Sequence, residues 1–374
     1  MGAYADKTED GRTCRPSSRC GSWPLRIRGG VLKKLRKPPR LRPGDTVAAI
    51  SPCNGWAGDE KTRWKYELGV AHLREIGLRV VPAPYSLKGS AYLSKHPEAR
   101  AEDFLWAFES QDVKAIIANV GGNDSHKLIP YLRRDSVEDN PKIFIGYSDA
   151  MNLHLFCYSC GLSSFYGDNL LSTVAETGGW HRYSKKWFCK VLFDPDEIGP
   201  VEPAGEWTWE PPGYSDPAHV RTYYPNPGYV RIQGQGIVRG RLFGGHTGLR
   251  ELADTPLSPT REDFRGVILF LEDIPAFFTP QAIEGFLHWL EGIGALGGLR
   301  GILIGKAAEN TDFTLQAAVI RRFLSSRGLD ELPVLYGLHF GHSSPSCILP
   351  YGAMAEIRCD AGAARFSILD GGVA

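Results

Sequence analysis

The chain has 374 residues, 43% of them hydrophobic and 23% charged, with a formal net charge of +1. This is the make-up of a globular protein long enough for two domains. It gives no ground for a nucleic-acid partner or an anionic membrane surface. No run approaches ~20 apolar residues and no apolar signal segment opens the chain, so the expected location is cytoplasmic, with no membrane contact.

The charge is unevenly placed. Residues 1–40 hold 11 Lys/Arg and 3 Asp/Glu, net +8, which leaves −7 for the remainder. Rich in Ser, Gly and Pro and lacking an apolar period, residues 1–40 are expected to form a disordered basic tail. The eight cysteines are dispersed, unlike a disulfide scaffold. Cys157 and Cys160 form a lone C-x-x-C without a second ligand pair and read as small buried thiols.

Leu41-Arg42-Pro43-Gly44-Asp45 is a turn that launches a strand over Thr46–Ser51. Helical spacing predicts a helix from Asp59 to Ile76, stopped by Gly77. A strand (Leu78–Pro82), a helix (Pro97–Glu109) and a strand (Val113–Val120) follow. Then come a helix (Ser125–Arg134), a strand (Lys142–Gly146), a helix (Asp149–Gly161), a strand (Ser163–Tyr166) and a helix (Tyr183–Phe193). Alternation of this kind over residues 41–194 implies a mostly parallel sheet covered on both faces. Ligands of such sheets sit at the carboxyl ends of the strands. Ser51, Ser125 and the turn Gly146-Tyr147-Ser148-Asp149 all fall there.

Residues 195–235 are rich in Pro, Gly and aromatics and show little period, as in a linker that serves as a lid or binding loop. The second α/β unit, 236–374, starts with a strand over Ile237–Phe243. Gly244-Gly245-His246-Thr247 then leads into a helix, Gly248–Leu252. Strands are expected at Val267–Leu271, Gly301–Ile304, Pro333–Leu338, Ile348–Arg358 and Arg365–Leu369. Helices open at Thr279-Pro280 and Thr314.

Candidate chemistry gathers at strand ends beside tight turns: Ser125, Glu272 and His342. A serine hydroxyl needs a general base, a histidine supplies one, and a carboxylate fixes the histidine's tautomer. Ser125 follows Gly121 and Gly122, which offer positive φ and close approach. It reads either as a nucleophile or as a helix cap. His246 is the alternative base, and Asp273 reads as a residue that orients local backbone. Asn123 and Asp124 are turn formers. No metal-ligand or nucleotide-triphosphate motif is present, so no metal and no cofactor is expected.

Four segments, Val120-Gly121-Gly122-Asn123-Asp124-Ser125, Gly146-Tyr147-Ser148-Asp149, Leu269-Phe270-Leu271-Glu272-Asp273 and Phe340-Gly341-His342, resemble the LD-carboxypeptidase family in order and interval. So do the opening turn and Ile50-Ser51-Pro52, and the resemblance spans about 41–372. It implies serine peptidases with a flavodoxin-like N-terminal domain and a C-terminal α/β domain with a swivelling or barrel-like sheet. It implies a triad of Ser125, Glu272 and His342, with backbone N–H groups of Gly122 and His126 as oxyanion donors. Asn123, Asp124 and Ser148 then fall on the substrate side, and a homodimer is expected. One branch trims the terminal D-alanine of murein tetrapeptides. The other resembles microcin-immunity peptidases, which cleave the amide of toxic aminoacyl-nucleotides. The Gly-Gly-Asn-Asp-Ser turn and the aromatic-rich insertion favour the second branch, with Trp180 as the residue that meets the nucleobase. Relatives often carry a charged residue four positions after the glutamate; here that position is Ala276. The alternative of another class is a non-catalytic small-molecule binding protein on the same scaffold.

Overall fold

Five short strands, mostly apolar, belong to the first half: β1 (Thr46–Ile50), β2 (Arg79–Pro82), β3 (Val113–Ala118), β4 (Ile143–Gly146) and β5 (Phe165–Tyr166). In the computed structural model, which describes residues 34–307, 313–360 and 363–374, β1 and β4 are wholly buried and β3 nearly so. Continuous burial is what a parallel strand covered on both faces requires. The strands pair in parallel in the order β5-β4-β3-β1-β2.

The remaining strands are short until the chain reaches residue 230. They are β6 (Gly199–Pro200), β7 (Glu206–Trp207), β8 (Tyr224–Pro225), β9 (Val230–Gln233), β10 (Gly236–His246), β11 (Val267–Glu272), β12 (Leu299–Gly305), β13 (Val334–Leu338), β14 (Leu349–Pro350), β15 (Met354–Asp360) and β16 (Ala363–Ile368). Eight of them form a mixed sheet in the order β6-β16-β15-β10-β11-β12-β13-β9. Its centre, β10 to β13, is parallel. The first sheet is thus mostly parallel and the second has a parallel centre with antiparallel flanks, and the fold is α/β in two domains.

The segment expected as one strand, 348–358, divides. Its first part, β14, crosses back and pairs antiparallel with β5 of the first sheet, and Tyr351 N–H donates to Ser164 O at 2.8 Å. The chain immediately after His342 therefore ties the two sheets together.

Helices cover the sheets with apolar stripes. Arg182–Leu192 buries Trp187, Phe188, Val191 and Leu192 at three- and four-residue steps. Pro280–Gly292 buries Ile283, Phe286, Leu287 and Leu290 and is capped by Thr279, whose Oγ1 accepts from Ala282 N–H. The helix expected over Ser125–Arg134 is instead a 3₁₀ segment, Ser125–Tyr131. Pro130 lies inside it and has no N–H to donate, so an α-helical ladder is not sustained.

Much of the tail expected over 1–40 lies outside the described residues. Residues 34–40, however, are anchored rather than disordered. Leu35 is buried, Arg36 bridges to Leu162, and Pro38 O and Arg40 N–H both bond to Ala374. Cys157 and Cys160 are free and buried, as small core thiols. No helix among the described residues is long and apolar enough to cross a membrane.

The Gly121–Ser125 loop rests on a buried cation. Arg100 is fully buried, and its guanidinium donates to Pro52 O, Cys53 O and Asp124 Oδ1, the last at 2.6 Å. Partial burial pushes the Asp124 carboxyl upward, but Arg100 and Lys127 outweigh it and hold the group below its ordinary range. Removing Arg100 strands Asp124 and empties a buried site. Arg100→Met is expected to lower unfolding free energy by roughly 2–4 kcal/mol in a denaturant titration.

Candidate active site

β4 ends at Gly146, and the chain turns sharply through Tyr147 and Ser148 into a 3₁₀ turn (Ser148–Ala150) and the helix Met151–Ser159. Ser148 has φ +62°, the one positive value at a non-glycine among the described residues. Such a backbone costs on the order of 1–3 kcal/mol and is kept where the surroundings enforce it. Those surroundings are tight. A Cβ on Gly146 would lie 2.9 Å from Ala118 Cβ and 3.2 Å from Ala150 Cβ. The pattern is therefore Gly-x-Ser-x-Ala, a strand–elbow–helix that lifts the serine hydroxyl above the sheet.

His342 meets this hydroxyl. Its Nε2 lies 3.1 Å from Ser148 Oγ, and its Nδ1 lies 2.7 Å from Glu272 Oε2. Glu272 is the last residue of β11. With Nδ1–H donated to the carboxylate, Nε2 carries the lone pair that accepts the Ser148 O–H. Glu272 is 2% exposed and takes two further bonds, from His342 N–H at 3.2 Å and from the Tyr166 hydroxyl. Tyr166 in turn accepts from Ser148 N–H at 3.3 Å. The four residues close a ring of hydrogen bonds between the sheets.

Burial alone would raise the Glu272 carboxyl. The His342 charge, its hydrogen bond and that of Tyr166 overcome this and hold it below the ordinary value. Burial alone would likewise depress His342, but Glu272 outweighs it and the imidazole is raised above 6.5. Burial, then the Glu272 charge, push the Tyr166 phenol up, so it stays a donor.

Ser125 does not join His342. It is fully buried; its Oγ donates to Asp149 O at 2.6 Å and accepts from Asn152 Nδ2 at 2.7 Å. The loop it begins is instead a brace for the Ser148 elbow. Asp149 Oδ2 accepts N–H bonds from Asp124 at 3.0 Å and Ser125 at 2.9 Å, so those helix-start amides are already taken. Gly121 and Gly122 do not use positive φ. Their value is proximity: a Cβ on Gly121 would lie 2.9 Å from Ser148 Cβ, and one on Gly122 2.8 Å from Cys53 Cβ.

A cleft of about 570 Å³ opens on Ser148 and His342, and Gly122, Asn123, His126, His246 and Ala276 also line it. Two expected substrate contacts fall elsewhere. Asp124 is the counter-ion of Arg100. Trp180 is 7% exposed, packs edge-on against Phe188 at 5.1 Å, and does not line the cleft. It follows the Gly178-Gly179 turn straight into the buried face of the next helix. His246 stands beside Glu272 in the β10–β11 register, while the imidazole hydrogen-bonded to Ser148 Oγ is that of His342. Asp273 orients backbone as expected, accepting from Thr247 N–H and Ile274 N–H.

The aromatic segment is pinned to the histidine loop. Thr208 and Ser344 exchange backbone bonds, and Arg221, paired with Glu176, donates to Ser344 Oγ at 3.0 Å.

The sequence comparisons agree with this architecture. The LD-carboxypeptidase N-terminal domain model matches residues 47–167, and the C-terminal domain model matches 239–357. The chain belongs to the LD-carboxypeptidase family. It is 28% identical over 351 residues to the probable murein peptide carboxypeptidase of Bacillus subtilis, covering 92% of this chain and 97% of that protein. It is 27% identical over 326 residues to the microcin C7 self-immunity protein MccF of Escherichia coli, covering 86% and 92%. The crystal structure of an MccF-like protein from Streptococcus pneumoniae in complex with AMP superposes with a TM-score of 0.79 at 28% identity, covering 87% and 99%.

Sequence reasoning set Ser148 on the substrate side and passed over Tyr166. The Gly-x-Ser-x-Ala spacing carried a signal for the first. Nothing local marks Tyr166, whose role arises from pairing between distant strands.

Gly341 shows how little slack the site has. It has φ +86°, and a Cβ there would lie 2.3 Å from Glu272 Cδ. Gly341→Ala is expected to lower stability by about 2 kcal/mol or more in thermal unfolding, because both the left-handed backbone and the carboxylate are disturbed.

Proposed function

We propose that the protein is a serine peptidase in which Ser148, His342 and Glu272 form the catalytic triad. The observation that carries this is the elbow serine at 3.1 Å from His342 Nε2, with Glu272 on the other imidazole nitrogen. Ser148 Oγ attacks the amide carbonyl carbon while its proton passes to His342 Nε2. The imidazolium, held by Glu272, then protonates the leaving nitrogen. Water repeats the sequence on the acyl-enzyme, with His342 as base. The oxyanion donors are the N–H groups of Gly122, which lines the cleft, and of Asp149, the residue after the attacking serine. Asp149 takes the place expected of His126 because the nucleophile is Ser148.

For the substrate, the favoured reading is an aminoacyl- or peptidyl-nucleotide, cut at the amide that joins the two parts. The likeness to MccF and to the AMP-bound relative supports it. The likeness to a murein peptide carboxypeptidase supports a second reading, removal of a terminal D-amino acid from a murein tetrapeptide. Incubation with an aminoacyl-sulfamoyl adenosine and, separately, with a murein tetrapeptide separates them. Cleavage of the first alone is expected; cleavage of the second alone overturns the favoured reading. The action is proposed to be cytoplasmic, by a homodimer.

Two measurements test the triad. Ser148→Ala is expected to lower kcat by about 10⁴-fold or more. Ser125→Ala is expected to retain activity within roughly 30-fold and to lose about 1–3 kcal/mol of stability, since it frees a buried carbonyl and a buried amide. The reverse order of effects would return the nucleophile to Ser125.

The pH profile tests the general base. His342 acts only when neutral, and its partner raises it above 6.5. The acidic limb of kcat/KM should therefore have its midpoint above the ordinary histidine value. Glu272→Gln removes the raising charge, so the residual activity should show that limb displaced to lower pH.

A further inference from the structure

The cleft carries a cation that the triad does not use. Among the described residues lining the cleft, Arg250 is the one lysine or arginine. It lies in the 3₁₀ segment Thr247–Leu252 that follows β10. Its Nη1 sits 3.1 Å from where a Cβ on Gly285 would be, so the missing side chain of Gly285 makes room for the guanidinium against the helix Pro280–Gly292. No carboxylate of the described residues pairs with it.

A histidine with an unpartnered donor lines the same cleft. His246 Nδ1 accepts from Gly248 N–H at 3.0 Å, which places the proton of the neutral ring on Nε2. That Nε2 is buried without a hydrogen-bond partner. The ring folds so closely over Gly248 that a Cβ there would lie 2.3 Å from His246 Cε1.

The acidic groups of the cleft are mostly committed. Asp149 accepts from two loop amides; Asp273 accepts from Thr247 and Ile274, and its Oδ2 lies 3.9 Å from His246 Nδ1, on the side of the ring away from Nε2. Glu251 is exposed and, as the next residue on a 3₁₀ turn, projects about 120° away from Arg250. A guanidinium without a carboxylate partner, in a cleft that a histidine with an unpartnered N–H also lines, is complementary to an anion.

We propose that Arg250, with His246 Nε2–H, forms an anion subsite that holds a carboxylate or phosphate of the substrate. It acts as a specificity-determining pair, and it rests on the reading of this cleft as the peptidase site. Ala276 and Phe277, on the same cleft, leave the charge recognition to this pair.

The test is calorimetric titration of the full-length Ser148→Ala protein with two ligand pairs. Aspartyl- against asparaginyl-sulfamoyl adenosine isolates an acyl carboxylate; AMP against adenosine isolates a phosphate. In at least one pair the anionic member is expected to bind tenfold tighter or more. Adding Arg250→Met should reduce that ratio to near one, and Arg250→Lys should keep it above fivefold. Equal affinities within both pairs, or a preference that survives Arg250→Met, overturns the subsite. A preference of this kind, with no cleavage of either sulfamoyl ligand or of a murein tetrapeptide by the unmutated protein, overturns the peptidase reading and leaves the subsite standing.

Discussion

The structure turns on one buried carboxylate. Among the described residues Glu272 has no lysine or arginine partner, yet it is 2% exposed. An isolated carboxylate in such a place would be neutralised rather than tolerated. It stays charged because three donors converge on it: His342 Nδ1–H, His342 N–H and the Tyr166 hydroxyl. Those donors come from two sheets. Tyr166 lies in β5 of the first, and Glu272 ends β11 of the second. Satisfying Glu272 therefore fixes the relation between domains and the tautomer of His342 in one step.

The dense glycine content follows from the same constraint. Gly305 and Gly341 bracket the carboxylate: a Cβ on the first would meet Glu272 Cβ at 2.8 Å, and one on the second would meet its Cδ. On the other side, Gly121 presses against Ser148. The side chains of Ser148 and Glu272 are held by backbone approaching from each side, so their rotamers have few alternatives. Preorganisation of this kind is what lets a serine, a weak nucleophile in water, react without reorganising its surroundings.

The sequence was most informative where periodicity is long. The parallel sheets, the apolar helix stripes and the strand ends carrying Glu272 and His342 could all be read from it. The serine was harder. Both Ser125 and Ser148 sit after a buried strand and a glycine, and both precede a helical segment. What separates them is the backbone. Ser148 is driven into a left-handed conformation between Gly146 and Ala150, while Ser125 starts a 3₁₀ turn and spends its hydroxyl on Asp149. The family resemblance set Trp180 against a nucleobase. Its fate is set by Phe188, eight residues on, and by a helix face whose burial depends on the whole domain.

Ser125 and Arg100 also explain why a loop without a reacting group sits so close to the chemistry. Asp149 belongs to the elbow, yet its carboxylate is consumed by the amides of Asp124 and Ser125. Asp124 is in turn consumed by Arg100. The chain of bonds runs from a fully buried guanidinium, through the loop, to the residue that follows the elbow serine. Anything that loosens the loop therefore loosens the position of Asp149 N–H and of Gly122, without touching the triad. On the proposed mechanism, bond making and the geometry of charge stabilisation rest on separate supports, one between the domains and one within the first. Mutations in the two should differ in kind: the first group should change how the serine is activated, and the second how well the developing oxyanion is held.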